Sequence, residues 1–296
     1  MREYFKGKSG IIYSVATIEK KDSDDCALDF SEGPDSIIDC QDESILEELV
    51  KKMPNIYKKV EIPIGTLYLN EKKGAWMHIK KNSKDINSIR IPEGTRAIGS
   101  RFFEDSLLSS VEFPSTIEYI GDSAFRECKN ISDLVLPRNL THIGDSAFFM
   151  SGLTSINIED TLIDSIGDFA FTKTLLSNLK IPKTVSRIGN DAFYSCKNLS
   201  DVDFSDCENL SVIYDTAFAS CNLTSIDLSN CTLDRIGVGA FAGNQNLSKI
   251  KLPYNLKSLA NNAFANTGVK NVKISESTDI TEESGFFYDG KFTVEY

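Results

Sequence analysis

The stretch Ile120-Gly121-Asp122-Ser123-Ala124-Phe125 recurs along the chain. Copies of this six-residue motif end at successive phenylalanines that are 22, 23, 23, 22, 25, 23 and 23 residues apart. A fixed period of this length indicates structural units that stack on one another, each covering the apolar face of the next. The motif therefore predicts a repeat solenoid over most of the chain. The eight phenylalanines are Phe103, Phe125, Phe148, Phe171, Phe193, Phe218, Phe241 and Phe264.

Each repeat also carries a short segment of alternating polarity, which is typical of a strand with one buried face. Nine such strands are expected, and because they recur in one direction about 20 residues apart, they should be parallel. The predicted fold is an α/β repeat: a right-handed solenoid of parallel strands with short helical turns, capped at both ends. The strands centre on Arg90, Glu112, Val135, Asn157, Lys180, Asp203, Asp227, Lys251 and Lys273.

The motif itself predicts a tight turn followed by a short helix. Glycine at its second position would relax the backbone, with positive φ where the corner demands it. Asp122, Asp145 and Asp168 follow that glycine and could cap a helix that holds the Ala-Phe pair. The phenylalanines should then stack as a spine between repeats, with Phe171 as a central member.

The two ends of the chain lack the motif, which divides it into residues 1–84, 85–275 and 276–296. The first segment holds an acidic stretch from Asp22 to Glu48, a predicted helix over Asp42–Lys59 broken at Pro54, and a predicted hairpin over residues 67–79. We expect it to cover the open N-terminal end of the solenoid. Residues 276–296 contain Asp289-Gly290 between apolar runs and predict a C-terminal hairpin cap.

Charge and composition limit the classes of partner and function that suit this chain. Net charge is −11 with a pI near 4.8, which argues against nucleic acid or an anionic membrane surface as the main partner. No apolar window is long enough for a membrane helix, and no signal peptide or anchor is evident. With only two histidines and no CxxC pair, the sequence predicts neither a metal site nor a cofactor.

Together these residues carry a family resemblance. A strand that ends in proline, the Ile-Gly-x-x-Ala-Phe motif, a cysteine three residues later and Asn-Leu before the next strand resemble the BspA-like (treponemal-type) leucine-rich repeat. The resemblance covers residues 86–275 and implies a surface or secreted protein that adheres to matrix proteins or other cells. It carries over no catalytic residue. The residues themselves do not indicate where the protein is located.

The sequence contains no recognisable catalytic constellation. It has no GxSxG, Walker or GxGxxG motif, and neither His78 nor His142 lies in a nucleophile or metal motif. His142 occupies the variable position before the Ile-Gly corner. A non-enzymatic role is therefore expected.

The outward positions of the predicted strands form the candidate binding surface, which we call the strand face. They contain no aromatic side chain. They divide into a basic entry at Arg90, an acidic patch at Asp201, Asp203 and Asp227, and a lysine end at Lys249, Lys251 and Lys273. A solvated ladder and a polar binding surface of modest affinity explain them equally well. The candidate residues are Arg90, Glu112, Asn157, Lys180, Asp201, Asp203, Asp227, Lys249, Lys251 and Lys273.

Four aromatic residues near the motif corners are alternative contact sites, or they pack between repeats: Tyr119, Phe149, Tyr194 and Tyr254. The leading hypothesis is a protein-binding solenoid, with adhesion as its role and an unidentified protein as partner. In the alternative, the N-terminal 84 residues carry the activity and the solenoid is an intracellular structural or targeting scaffold.

Overall fold

A computed structural model gives the architecture. The residues that it describes are 4–6, 12–14, 47, 50–52, 54, 57–62, 65–70, 75–79, 87–91, 95–260, 262–281 and 293–295.

The expected strands are present and parallel. Ten short strands pair in twos with neighbours one repeat away, so that Ser88, for example, lies opposite Ser110. In the three-residue strands between Ser88 and Lys273, the central residue is buried or half-buried and its two neighbours are exposed or half-buried. The predicted class, a solenoid of stacked parallel strands, is confirmed and comprises about eight turns. The strands are Ser88–Arg90, Ser110–Glu112, Asp133–Leu134, Ser155–Ile156, Asn178–Lys180, Asp201–Asp203, Ser225–Asp227, Lys249–Lys251, Asn271–Lys273 and Thr293–Glu295.

A second ladder, which the sequence did not predict, precedes the glycine corner. The residue at the first motif position and the residue before it form a strand of two or three residues, and these strands pair in parallel along the whole solenoid. Each repeat therefore contributes one strand to each of two separate ladders. The second ladder comprises Ala97–Ile98, Tyr119–Ile120, His142–Ile143, Ser165–Ile166, Arg187–Ile188, Val212–Ile213, Arg235–Ile236, Ser258–Ala260 and Asp279–Thr281.

The N-terminal segment joins this second ladder. Tyr57–Ile62, Gly65–Asn70 and Ala75–Ile79 form an antiparallel three-stranded sheet, which includes the predicted hairpin. Ala75–Ile79 then pairs in parallel with Ala97–Ile98, giving one sheet of twelve strands. The N-terminal end of this ladder is thereby covered. A separate hairpin pairs Tyr4–Lys6 with Ile12–Ser14.

The helix expected over Asp42–Lys59 is shorter than predicted. Residues 47 and 50–52 are helical, Pro54 lies in a turn, and the chain is extended from Tyr57 onward. Pro54 thus ends the helix rather than kinking it. Lys59 lies in the following strand and pairs with Glu47 at 3.4 Å. The acidic residues Asp22 to Asp42 lie outside the described residues.

The motif turns contain no α-helix, which corrects the expectation of short capped helices. Ser123 and Glu127 have φ of 55° and 57°, values in the left-handed region that interrupt a helix. Successive backbone N–H groups of the turn donate alternately to the next repeat and to a carbonyl of the same turn. That of Phe125 donates to Ala147 in the next repeat at 2.7 Å, and that of Ala124 donates back to Gly121 at 3.2 Å. Every turn thus bonds both to itself and to its neighbour.

The aspartates of the motif do not cap a helix. Their side chains accept hydrogen bonds from the backbone of the next repeat. Asp122 Oδ1 accepts from the backbone N–H of Asp145 at 2.9 Å, and Asp145 Oδ1 accepts from that of Asp168 at 2.8 Å. Asn190 stands in the same column and accepts from Asp215 at 3.3 Å. The column of side chains therefore supplies hydrogen bonds between repeats.

The motif glycines allow close packing of neighbouring repeats and do not adopt positive φ, although Tyr214 and Ala260 occupy the same position in two repeats. A Cβ on Gly144 would lie 2.3 Å from Asp122 Oδ1 and 2.7 Å from the Asp122 backbone nitrogen. Positive φ falls two and six residues after the glycine, mostly on non-glycine residues. The predicted role of these glycines was wrong, because what matters at the corner is the distance to the preceding repeat.

The phenylalanine column is confirmed. All seven neighbouring pairs stack, with ring centroids 5.0 to 5.6 Å apart. Phe171 is fully buried, 5.2 Å from Phe148 on one side and 5.2 Å from Phe193 on the other. The column forms the centre of one continuous apolar core.

The C-terminal segment extends both ladders. Asp279–Thr281 pairs in parallel with Ser258–Ala260, and Thr293–Glu295 pairs in parallel with Asn271–Lys273. The turn predicted at Asp289-Gly290 lies outside the described residues. The two described strands therefore follow the register of the repeats.

Candidate functional site

The strand face is exposed along the solenoid. The outward residues at the first strand position, from Ser88 to Asn271, are all exposed, and those at the third position are exposed or half-buried. Val135 is 74% exposed and is the one large apolar residue among them. The face is thus a polar surface that crosses successive repeats without interruption by a loop.

Charges one repeat apart neutralise each other on this face. Arg90 Nε lies 2.5 Å from Glu112 Oε2, which raises the pKa of the guanidinium through the hydrogen bond and the charge. The basic entry expected at Arg90 is therefore a paired residue. Because both side chains are largely exposed, the pair adds little to stability.

The expected acidic patch is also partly paired. Lys180 Nζ lies 2.7 Å from Asp206 and 3.6 Å from Asp203. Asp203 Oδ1 accepts the backbone N–H of Ser205 at 2.8 Å, and this bond is the largest cause that lowers the pKa of the Asp203 carboxyl. Asp201 is exposed. Sequence analysis missed Asp206, which follows the strand by three residues.

Asp227 and Lys251 form a pair in which the carboxylate is strongly held. Lys251 Nζ lies 2.6 Å from Asp227 Oδ2, and Ser229 donates to Oδ1 from its hydroxyl at 2.6 Å and its backbone N–H at 3.1 Å. The lysine first, and then the serine hydroxyl, lower the pKa of Asp227 to about 2. The Asp227 carboxylate therefore stays ionised throughout the physiological pH range.

The lysine end keeps two free charges. Lys249 and Lys273 are exposed, and no carboxylate of the described residues lies within ion-pair distance of either. By contrast, Asn157 is committed to the fold, because its side chain accepts from the Leu136 N–H at 2.7 Å and donates to the Leu136 carbonyl at 3.2 Å. The face thus offers an acidic region around Asp201 followed by unpaired lysines.

The corner aromatics fall into different environments. Tyr119 and His142 stack on each other in the second ladder, with centroids 4.5 Å apart and planes 4° from parallel. Tyr254 is 85% exposed. Phe149 and Tyr194 are half-buried on the outside of the motif turns. Sequence analysis missed Phe169, which is 41% exposed, because it was assigned to the motif.

The cysteines that the structure describes are buried, free thiols: Cys128, Cys196, Cys207, Cys221 and Cys231. Burial raises the pKa of Cys207 and of Cys231 to about 12, so that these two thiols stay protonated. Within the described part of the chain no group of three or more His, Cys, Asp or Glu could hold a metal ion. None of the described helices has the length and apolar character needed to span a membrane.

The fold and its exposed ladders define a leucine-rich-repeat β-solenoid. The sequence profile of the "BspA type Leucine rich repeat region" matches residues 80–165 and 164–293, in six copies. The chain belongs to this family, as the sequence resemblance predicted. The family supports a protein-binding scaffold in general terms.

Similar solved structures are bacterial. A leucine-rich repeat protein from Bacteroides ovatus is 25% identical with a TM-score of 0.60; the match covers 75% of this chain and 58% of that one. The T. pallidum leucine-rich repeat protein is 20% identical, with a TM-score of 0.42 and coverage of 65% and 88%. A leucine-rich cell surface protein from Faecalibacterium prausnitzii is 19% identical, with a TM-score of 0.36 and coverage of 75% and 89%. No curated protein matches significantly.

Proposed function

We propose that this protein is a non-enzymatic scaffold that binds another protein through its strand face, with adhesion to a matrix or cell-surface protein as its role. The observation that supports this most is the exposed, uninterrupted row of outward side chains over successive parallel strands. An extended surface of this kind is what repeat proteins use for recognition. A location at the cell surface belongs to the same proposal.

The recognition we propose is electrostatic. Lys249 and Lys273 are unpaired and exposed, and they lie two and three strands beyond the exposed Asp201 on the same face. A partner with complementary charges would gain orientation and association rate from this pattern, and its binding would weaken as salt rises. Since the face lacks aromatic anchors, we expect modest affinity.

The test is capture of matrix proteins and of proteins from a lysate of the source cells by the immobilised full chain. The variant Lys249→Glu, Lys251→Glu, Lys273→Glu should lose capture. A matched control reverses three exposed lysines outside the strand face, at positions 129, 183 and 257, and so changes the net charge equally. Equal capture by both variants and by the wild type, at low and at high salt, would exclude the strand face as the binding surface.

The N-terminal alternative proposes that residues 1–84 act and the solenoid only supports them. The pairing of Ala75–Ile79 with Ala97–Ile98 instead favours a cap, because it makes the N-terminal strands part of the solenoid's own sheet. A cap removed from its solenoid leaves apolar surface uncovered. Residues 1–84 expressed alone should therefore aggregate, whereas a soluble, folded fragment would favour the alternative.

A further inference from the structure

Three consecutive repeats carry aromatic side chains on the outside of the motif turns, a surface that we call the turn face. Phe169 is 41% exposed, and Phe149 and Tyr194 are half-buried. The backbone N–H of Thr172 donates to Phe169 at 3.1 Å, and the next N–H, that of Lys173, donates to Tyr194 at 2.8 Å. Backbone hydrogen bonds from two consecutive residues thus bring the carbonyl groups of Phe169 and Tyr194 close together, although the two residues belong to adjacent repeats.

Phe169 has a backbone conformation that a phenylalanine rarely adopts. Its φ is 57°, and Ser123, Ser146 and Gly239 hold the same position in other repeats. A bulky residue in the left-handed region is strained. An exposed aromatic side chain on a strained backbone contributes little to the stability of the fold. Residues of this kind are concentrated at sites of contact.

Three carboxylates occupy the same series of turns: Asp168 directly precedes Phe169 in the chain, and Asp145 and Asp191 lie in the turns on either side. Asp145 and Asp168 each accept a backbone N–H from the next repeat, at 2.8 and 2.7 Å, and Asp191 accepts the hydroxyl of Thr216 at 2.7 Å. Among the described residues, no lysine or arginine lies within ion-pair distance of any of the three. Partial burial, followed by the neighbouring carboxylates, raises the pKa of Asp145 and of Asp191. The negative charge beside the aromatic residues is therefore not neutralised.

The same surface shows what chemistry suits it. The guanidinium of Arg126 lies 4.6 Å from the ring centre of Phe149, and its Nε lies 3.5 Å from Glu104 and 3.5 Å from Glu127. Arginine can place its flat face on an aromatic ring and still pair with carboxylates at its edge, which lysine cannot do. Phe169 and Tyr194 with their adjacent carboxylates offer similar surroundings.

We propose that the turn face binds an arginine-rich segment of a partner protein, with guanidinium groups stacked on Phe169 and Tyr194 and paired with Asp145, Asp168 and Asp191. This rests on the proposed function of a protein-binding scaffold, but it uses a different face from the unpaired lysines. The two surfaces can therefore succeed or fail independently.

The experiment measures fluorescence anisotropy of labelled peptides with the full chain over a salt series. The probe is a 12-residue peptide of repeated Arg-Gly-Gly units, compared with the same peptide carrying lysine. Phe169→Ser introduces the residue that adopts the same backbone conformation in two other repeats, at Ser123 and Ser146, so the protein should stay folded. Its affinity for the arginine peptide should fall by about 5- to 30-fold. Tyr254→Ser, an exposed aromatic outside the turn face, is the matched control and should bind like the wild type.

A second variant tests the carboxylates. Asp145→Asn with Asp168→Asn keeps an oxygen to accept the backbone N–H and removes both charges, so binding should weaken and depend less on salt. The strand-face variant at the three lysines should bind the peptide at least as tightly as the wild type. Absence of arginine-peptide binding at low salt, equal affinity for both peptides, or unchanged binding by Phe169→Ser would each overturn the proposal. Loss of matrix-protein capture by the lysine variant would bear on the strand face alone.

Discussion

Truncation of Phe171 to alanine tests the phenylalanine column directly. The ring has no exposed surface and lies between two parallel neighbours, with interplanar angles of 13° and 2°. Burial of a phenylalanine is typically worth about 3 to 5 kcal/mol when its truncation leaves a cavity. Stacking contributes about 0.5 to 1.5 kcal/mol per pair beyond the buried area. We expect the free energy of unfolding to fall by about 3 to 5 kcal/mol.

Circular dichroism during thermal and urea unfolding measures this loss. For a folded unit of this size, the expected change lowers the melting temperature by about 6 to 20 °C. Phe171→Leu is the matched control, because it keeps most of the volume and removes the stacking. It should cost about 1 to 3 kcal/mol, the stacking with both neighbours, and so less than alanine.

The position along the column matters as well. Phe103 lies at its N-terminal end and stacks on Phe125 alone within the column, tilted by 26°. Phe103→Ala should therefore cost less than Phe171→Ala. A melting temperature of Phe171→Ala within about 2 °C of the wild type would refute the reasoning, since it would mean less than about 1 kcal/mol. Equal costs for alanine and leucine at position 171 would refute the role of packing volume.

Three further substitutions test the turns. Gly144→Ala would place a Cβ 2.3 Å from Asp122 Oδ1, and we expect a loss of about 1 to 3 kcal/mol in urea unfolding; a change within about 0.5 kcal/mol would contradict the close approach. Asp145→Asn should stabilise the protein by about 0.2 to 1 kcal/mol at pH 7, the magnitude for like charges on facing strands. Because burial raises the folded-state pKa of Asp145, its ionisation costs stability above the unfolded value near 3.9. The gain should therefore disappear when melting is repeated below that pH. Phe169→Gly should raise the melting temperature by removing about 1 to 2 kcal/mol of left-handed strain, and a lower melting temperature would show that the ring contributes packing instead.

The first ladder could be predicted because most of its strands alternate in polarity, as Asn271-Val272-Lys273 does. The second ladder could not, because a strand of two residues such as Tyr119–Ile120 has no alternation to detect. Its pairing depends on a residue 23 positions away, His142, which is a tertiary contact. Local pattern reading has no access to such contacts.

The conformation of the turns could not be predicted for a different reason. Ser123 and Phe169 both have left-handed φ, yet neither residue type signals that conformation as glycine does. The hydrogen bonds between repeats impose it. The sequence did indicate a candidate strand face, but the pairing of Arg90 with Glu112 was missed. It could have been found by comparing residues one period apart, since the register places them opposite each other.

Most of the variation in repeat length lies between the first and the second ladder of a repeat. Asn178 and Asp201 are paired 23 residues apart, whereas Ile188 and Ile213 are paired 25 apart. The two additional residues therefore lie between the first and second ladders of that repeat, and neither ladder is disturbed. A duplicated unit of about 23 residues would meet the same hydrogen-bond partners as the units beside it, and would lengthen the solenoid by about 4.8 Å. The reach of such a molecule can thus change by gene duplication in fixed steps, while each repeat keeps core contacts of the same kind with its new neighbours.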